Sequence, residues 1–155
     1  MIEPSEATEK VRTGSKRRQS LTREQIRVIC DGKGMAELYD DLLDRLDSVF
    51  PSKATTASSL AFRGKIGDGG ARVILSLLPF DSDANHGLKF QVYTKRLAEY
   101  IGISTERVES LLPASHETWT YWAAVNDPDI DLWIGFQGFF KTGEEVAKFA
   151  DGISG

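Results

Sequence analysis

Residues 58–93 read SSLAFRGKIGDGGARVILSLLPFDSDANHGLKFQVY, and this stretch decides the fold. It predicts three strands, at 58–66, 71–78 and 88–93, because these runs place apolar and polar residues on opposite sides of an extended chain. The segment 67–70, Gly-Asp-Gly-Gly, is typical of a tight hairpin turn between the first two strands. Strands joined by such short connections predict an antiparallel sheet.

Helical patterns flank this stretch on both sides. Thr22 and Gln25 have capping-box spacing and predict a first helix that ends near Asp31. Residues 35–50 repeat apolar side chains at steps of three and four, with acids on the opposite side, as in an amphipathic helix that lies on a core. Further elements are predicted at 95–101 and 105–112 (helices), 117–125 and 130–136 (strands) and 142–152 (helix). The order ααβββααββα predicts an α+β domain, with a mostly antiparallel sheet of about five strands and helices packed on one face.

Length and charge distribution suggest one domain with an arm. The 155 residues suit a single unit, which we place at 21–155. Residues 1–23 contain six basic and three acidic side chains, a net charge of +3, so the rest of the chain carries −7 of the total of −4. We therefore predict that residues 1–20 form a basic, flexible N-terminal arm. Cys30 is the only cysteine, which excludes an intrachain disulfide.

The predicted sheet has a core face and an opposite face, which we call the mixed face. If Ile66 pairs with Ala71, the core face receives Leu60, Phe62, Val73, Leu75 and Leu77, whereas Ile74 points to the mixed face. If Val125 pairs with Ile130, Trp122 lies opposite Trp133 on the mixed face. The mixed face then carries basic and aromatic side chains together: Arg63, Lys65, Arg72, Lys89, Tyr93, Trp122 and Trp133.

Large exposed aromatic residues mark contact surfaces, and aromatic rings beside basic groups also suit single-stranded nucleic acid. The leading hypothesis is a non-enzymatic binding module for a protein partner, with a homodimer as the simplest version. Its partner-binding residues would be Trp122, Trp133, Tyr93, Arg63, Arg72 and Lys89. The alternative is structural: a helix or the basic arm covers the two tryptophans.

Residues 94–112 resemble the helix-turn-helix pattern of DNA-binding regulators. Ala98, Gly102 and Ile103 stand where that pattern has a small residue, a turn glycine and a core residue. The resemblance implies that residues 104–107 open a recognition helix, and with the basic arm it suggests a nucleic-acid-binding regulator. An αα-hairpin that crosses between strands is the alternative.

A third hypothesis is a small metal-dependent or acid–base hydrolase. Asp81, Asp83 and His86 begin like a calcium loop, although the glycine and glutamate that such a loop requires later are replaced. With His116 they would form a site only if all four side chains met. No P-loop, nucleophile elbow, zinc-protease helix or dinucleotide fingerprint occurs, so we predict no cofactor and favour a non-enzymatic role. No apolar run approaches the ~20 residues of a membrane span, and we expect a cytoplasmic protein.

Overall fold

The computed structural model of the chain describes residues 19–67 and 70–154, and this part contains five α-helices and six strands. The predicted N-terminal arm therefore lies almost entirely outside the described residues. The helices are α1 (Arg23–Gly32), α2 (Ala36–Leu46), α3 (Thr94–Ile101), α4 (Thr105–Ser110) and α5 (Gly143–Ser154). The strands are β1 (Ser52–Thr55), β2 (Leu60–Lys65), β3 (Ala71–Leu77), β4 (Leu88–Tyr93), β5 (Glu117–Thr120) and β6 (Ile134–Phe140).

The helices begin where the sequence patterns predict. Thr22 caps α1, because its Oγ1 accepts a hydrogen bond from the Gln25 backbone N–H at 3.0 Å while the Gln25 side chain accepts from the Thr22 N–H at 2.8 Å. Arg27 of α1 then holds Asp40 of α2 through three hydrogen bonds to its carboxylate, which ties the two helices together. None of the helices in the described ranges is both long and apolar enough to cross a membrane.

The strands form one antiparallel sheet in the order β1-β2-β3-β4-β6-β5, which confirms the α+β prediction. The sheet has six strands instead of about five. The additional strand is β1, inside the segment 52–57 that the sequence pattern leaves as a linker. Its residues Ser-Lys-Ala-Thr carry no apolar alternation, and the strand exists because it pairs with β2 along its whole length.

A β-bulge changes the faces of β3. Phe62 pairs with Leu75 and Arg63 pairs with Val73, so Ile74 is an extra residue without a partner on β2. Ile74 is fully buried in the core and Val73 lines a cavity on the mixed face. The predicted placement of Val73 on the core face and Ile74 on the mixed face was therefore wrong, because a regular alternation does not survive a bulge.

The hairpin of β5 and β6 also differs from the prediction. Trp119 pairs with Gly135 and Thr120 with Ile134, and the predicted pairing of Val125 with Ile130 was wrong. Residues 122–124 and 130–133 form 3₁₀ turns instead of strand, so β5 is shorter and β6 begins later than the alternation indicates. Trp122 and Trp133 consequently lie outside the sheet ladder.

The core lies between the apolar face of the sheet and the helices. All five helices contribute buried side chains to it, among them Leu42, Leu97 and Phe149. On the sheet side Phe90 and Phe140 are fully buried, with ring centroids 4.8 Å apart. Because the helices use this face, the mixed face keeps partly exposed side chains, and its central row runs Ala61, Ser76, Gln91, Gln137 and Glu117 across five strands.

Candidate functional site

Five aromatic rings form a continuous group at one end of the mixed face, and we call this group the aromatic cluster: Tyr93, Trp119, Tyr121, Trp122 and Trp133. Tyr93, at the end of β4, contacts Trp119 with ring centroids 5.2 Å apart and meets Trp133 edge-on at 5.9 Å. Tyr121 stacks on Trp133 at 5.3 Å and contacts Trp122 at 5.9 Å. These are the spacings of favourable aromatic pairs, so the rings support one another.

Exposure increases along the aromatic cluster. Tyr93 is buried, Tyr121 and Trp133 are half-buried, and Trp122 is 78% exposed. The 3₁₀ turn that follows Tyr121 carries the Trp122 indole away from the sheet. The cluster therefore extends from the buried ring of Tyr93 to the solvent-exposed ring of Trp122.

Arg96 of α3 completes the cluster, and its guanidinium packs against two of the rings, whose planes stand at 89° to each other. Its Cζ is 4.1 Å from the centroid of Tyr93 and 4.4 Å from that of Trp133. Its Nη1 donates a hydrogen bond to the backbone oxygen of Val73 at 2.7 Å. The residue is only 3% exposed, and its Nε and Nη2 atoms have no hydrogen-bond partner in the described structure.

Burial dominates the electrostatics of this guanidinium. Desolvation lowers the pKa of Arg96, the nearby Tyr93 acts in the opposite direction, and the charge of Arg72 lowers the pKa further. Burial also raises the pKa of Tyr93. Arginine stays protonated in proteins, so the site holds a positive charge that no carboxylate of the described residues offsets. Such an uncompensated buried charge is costly for the fold.

Beside Arg96 lies an open cavity of about 620 Å³. Hydroxyl groups, aromatic rings and two arginines line it: Thr56, Ser58, Ser59, Ser76, Tyr93, Tyr121, Trp133, Arg72 and Arg96. Its described lining contains no acidic side chain. A larger groove of about 920 Å³ between α1 and α2 does contain acidic side chains, and one of them, Asp40, is already paired with Arg27.

The structure brings some of the predicted binding residues together and separates others. Tyr93, Trp133 and Arg72 border the cavity, whereas Trp122 lies outside it and contacts Tyr121 of its lining. Arg63 donates a hydrogen bond to the backbone oxygen of Ala71 at 3.0 Å.

Lys89 lies at the other end of β4, where its Nζ is 5.3 Å from the centroid of the Phe139 ring. Gln91 of the same strand separates it from Tyr93 and donates to Gln137, which in turn donates to Glu117. Lys89 is therefore distant from the aromatic cluster along the strand, and polar contacts occupy the middle of the mixed face.

Sequence reasoning missed Arg96. The sequence offers no signal that separates it from Lys95, its exposed neighbour in the first turn of α3. Only the tertiary arrangement shows that one of the two adjacent cations turns towards Tyr93 and Trp133.

The four residues of the hydrolase hypothesis do not form one site, and only Asp83 and His86 pair with each other. His86 Nδ1 lies 2.9 Å from Asp83, and the hydrogen bond from His86 is the main cause that lowers the pKa of this aspartate. His116 Nε2 lies 3.2 Å from Glu109, and Asp81 belongs to a 3₁₀ turn after β3. Across the described ranges, no group of three or more His, Cys, Asp and Glu side chains is arranged to bind a metal ion.

The helix pair at 94–112 forms as α3 and α4, a crossover between β4 and β5. Helix α4 has six residues and is capped by Ser104, whose Oγ accepts from the Arg107 N–H at 3.0 Å. Glu106 and Glu109 are exposed on it, and such acids repel nucleic-acid phosphates. This arrangement gives the resemblance to a recognition helix no further support.

The site of this chain is interpreted from its own contacts, because no similar protein supplies a comparison. Comparison of the chain with protein-family models, with curated proteins and with solved structures gives no match.

Proposed function

We propose that the chain is a non-enzymatic binding module for a protein partner, and that the aromatic cluster is its contact surface. The observation that carries this proposal is the 78% exposure of Trp122 at the open end of a supported row of rings. A tryptophan side chain has only two rotatable torsions, so it loses little conformational freedom on binding, which is the property of an interface anchor.

The energy available from this anchor is substantial. A tryptophan buries up to about 250 Å² when it is fully covered, and three-quarters of the surface of Trp122 faces solvent. Covering that surface contributes roughly 4–5 kcal/mol at about 25 cal/mol per Å², before the costs of association. A single residue can thus decide whether a partner binds.

The charges at the cavity favour an acidic partner over a second copy of the chain, because its described lining holds Arg72 and Arg96 and no acidic side chain. Arg72 is exposed at the edge of the cavity, and Arg63 and Lys65 lie on the neighbouring strand β2. If two copies met through this face, the basic side chains of both copies would be brought into one interface, whereas an acidic surface would complement them. We therefore favour a partner other than the chain itself.

The test compares two exposed apolar residues in the same loop. Trp122→Ala removes the anchor, and Val125→Ala is the matched control, because Val125 is 63% exposed three residues later and does not line the cavity beside the aromatic cluster. Peptides selected from a random phage-displayed library against the native chain should bind Trp122→Ala at least about tenfold more weakly and Val125→Ala equally well. Equal binding to all three proteins would remove the proposal.

Two further measurements separate the other partner classes. Sedimentation of the native chain that shows a dimer, with Trp122→Ala monomeric, would replace the heterologous partner by a second copy. Binding of a single-stranded oligothymidine that weakens steeply with salt and depends on Trp122 would identify a nucleic-acid surface and overturn the protein-partner proposal.

A further inference from the structure

The guanidinium of Arg96 has one edge free for a ligand. Its Cζ packs against the rings of Tyr93 and Trp133, and its Nη1 is bonded to the Val73 backbone oxygen. The remaining N–H groups, on Nε and Nη2, have no partner in the described structure. The two ring contacts and the bond to Val73 hold the guanidinium in place, so these two donors keep a fixed position.

Another arginine of the same chain shows what such an edge binds. Arg27 uses Nε to bond one oxygen of Asp40 at 2.9 Å and Nη2 to bond the other at 2.8 Å. Two coplanar donors match the two oxygens of a carboxylate in this side-on arrangement. Arg96 offers the same pair of atoms, in a site where burial makes a charge-assisted hydrogen bond stronger than at the exposed Arg27–Asp40 pair.

We propose that the cavity beside Arg96 is a carboxylate-binding site, in which Nε and Nη2 of Arg96 hold the two carboxylate oxygens. The inference rests on the proposed function, because it names the chemistry that the binding surface recognises. One buried guanidinium neutralises the single charge of a carboxylate, whereas a phosphate monoester brings nearly two charges. The hydroxyls of Ser58, Ser59 and Ser76 in the cavity wall add neutral donors for the same group.

Binding requires a small movement of the cavity wall. Nε and Nη2 have almost no accessible surface, so a ligand reaches them only when a neighbouring side chain rotates. Tyr121 and Trp133 are the half-buried rings at this position, and Trp133 contacts Arg96 directly. The aromatic cluster therefore acts both as a contact surface and as the cover of the charged group.

The experiment uses benzoate and its neutral analogue benzamide as probes for the full-length chain. These molecules have nearly the same shape and differ in charge, so their comparison isolates the carboxylate. NMR of the arginine Nε–H resonances follows the bond itself, and through-bond correlation with the backbone of Arg96 assigns its resonance in the native chain. We expect benzoate to bind with a dissociation constant of roughly 1 mM and to shift this resonance downfield.

The native chain should bind benzamide at least about tenfold more weakly than benzoate. Arg96→Lys should bind benzoate at least about tenfold more weakly than the native chain does, because lysine lacks the planar guanidinium fork. Equal binding of benzamide, or benzoate binding that leaves the Arg96 Nε–H resonance unmoved, would overturn the site. The resonance is measured in the native chain, so the result stands even if Arg96→Lys fails to fold. Tighter binding of phenyl phosphate than of benzoate would overturn the assignment to carboxylate.

Two more comparisons separate this inference from the proposed function and locate the source of the carboxylate. Trp122 does not line the cavity, so Trp122→Ala should bind benzoate within about twofold of the native chain while losing its peptides. Loss of benzoate binding in Trp122→Ala would contradict the separate cavity. Preference for N-acetylglutamate amide over benzoate would indicate an acidic side chain of the partner, and the reverse preference a free aromatic acid.

Discussion

Replacement of Gly135 by alanine should separate two strands at the base of the aromatic cluster. Gly135 lies in β6 between Tyr93 of β4 and Trp119 of β5. A Cβ atom at this position would lie 1.7 Å from the backbone oxygen of Val92, whereas real Cβ contacts essentially never fall below 3.0 Å. The obstacle is backbone within the sheet, so no side-chain rotation relieves the clash.

The size of the effect follows from the displacement. The Cβ must retreat by 1.3 Å, the difference between 3.0 and 1.7 Å, and this stretches ladder hydrogen bonds of about 2.9 Å beyond 4 Å. Losing two or three such bonds, each worth about 1 kcal/mol, and leaving buried donors unpaired gives a loss of at least about 3 kcal/mol in the free energy of unfolding. The relative positions of Tyr93 and Trp119 should change with it.

Urea unfolding followed by circular dichroism measures this loss, with Gly32→Ala as the matched control. Gly32 is the last residue of α1, and a Cβ there would meet nothing within 4 Å. Gly32→Ala should therefore equal the native chain or exceed it by up to about 1 kcal/mol, the helix preference of alanine. A Gly135→Ala protein within about 1 kcal/mol of the native chain would refute the reasoning from strand spacing.

Three other predictions concern stability and reactivity. Trp122→Ala should cost only about 1 kcal/mol of unfolding free energy, because little of the residue is buried, whereas Phe140→Ala in the core should cost about 3–5 kcal/mol; equal losses in urea titrations would contradict the assigned exposures. Burial raises the pKa of Cys30 to about 11, so a thiol reagent at neutral pH should modify the unfolded chain and spare the native one, and rapid native labelling would show that the thiol is accessible. The hydrogen bond from Arg27 lowers the pKa of Asp40, so this pair stabilises the fold above the ordinary aspartate pKa of about 3.9 and loses that contribution as the pH falls through the lower folded value. Urea midpoints measured against pH should lose this part of their acid dependence in Asp40→Asn, and an unchanged profile would argue against the pair.

The general fold was predictable because local patterns and tertiary packing agree. The capping box at Thr22 indicates α1, and the apolar period of residues 35–50 indicates α2, although this helix ends at Leu46 and not at residue 50. β1 was not predictable in this way, because Ser-Lys-Ala-Thr has no amphipathic pattern and its pairing with β2 supplies the stabilisation. The bulge at Ile74 was also hidden, since an apolar residue suits either side of an irregular strand.

The candidate site was predictable in part. Tyr93, Trp122 and Trp133 do share one cluster, although the pairing assumed for the two tryptophans was wrong. Period-two alternation continues through residues 122–124 and 130–133, but the backbone there forms 3₁₀ turns, because the strands stop pairing after Thr120 and Ile134. Arg96 was not predictable, since its burial depends on residues from three separate strands and turns.

Ile74, the residue of β3 without a partner on β2, determines where this strand can tolerate a deletion. Deletion of Ile74 would make the strand regular and leave both Val73 and Leu75 on their present sides, at the expense of one core side chain. Deletion of Ser76 would instead bring Leu75 opposite Ala61, on the mixed face, and remove this leucine from the core. The strand can therefore lose one residue at the bulge, whereas the number of residues on either side of the bulge is fixed by their pairing with β2.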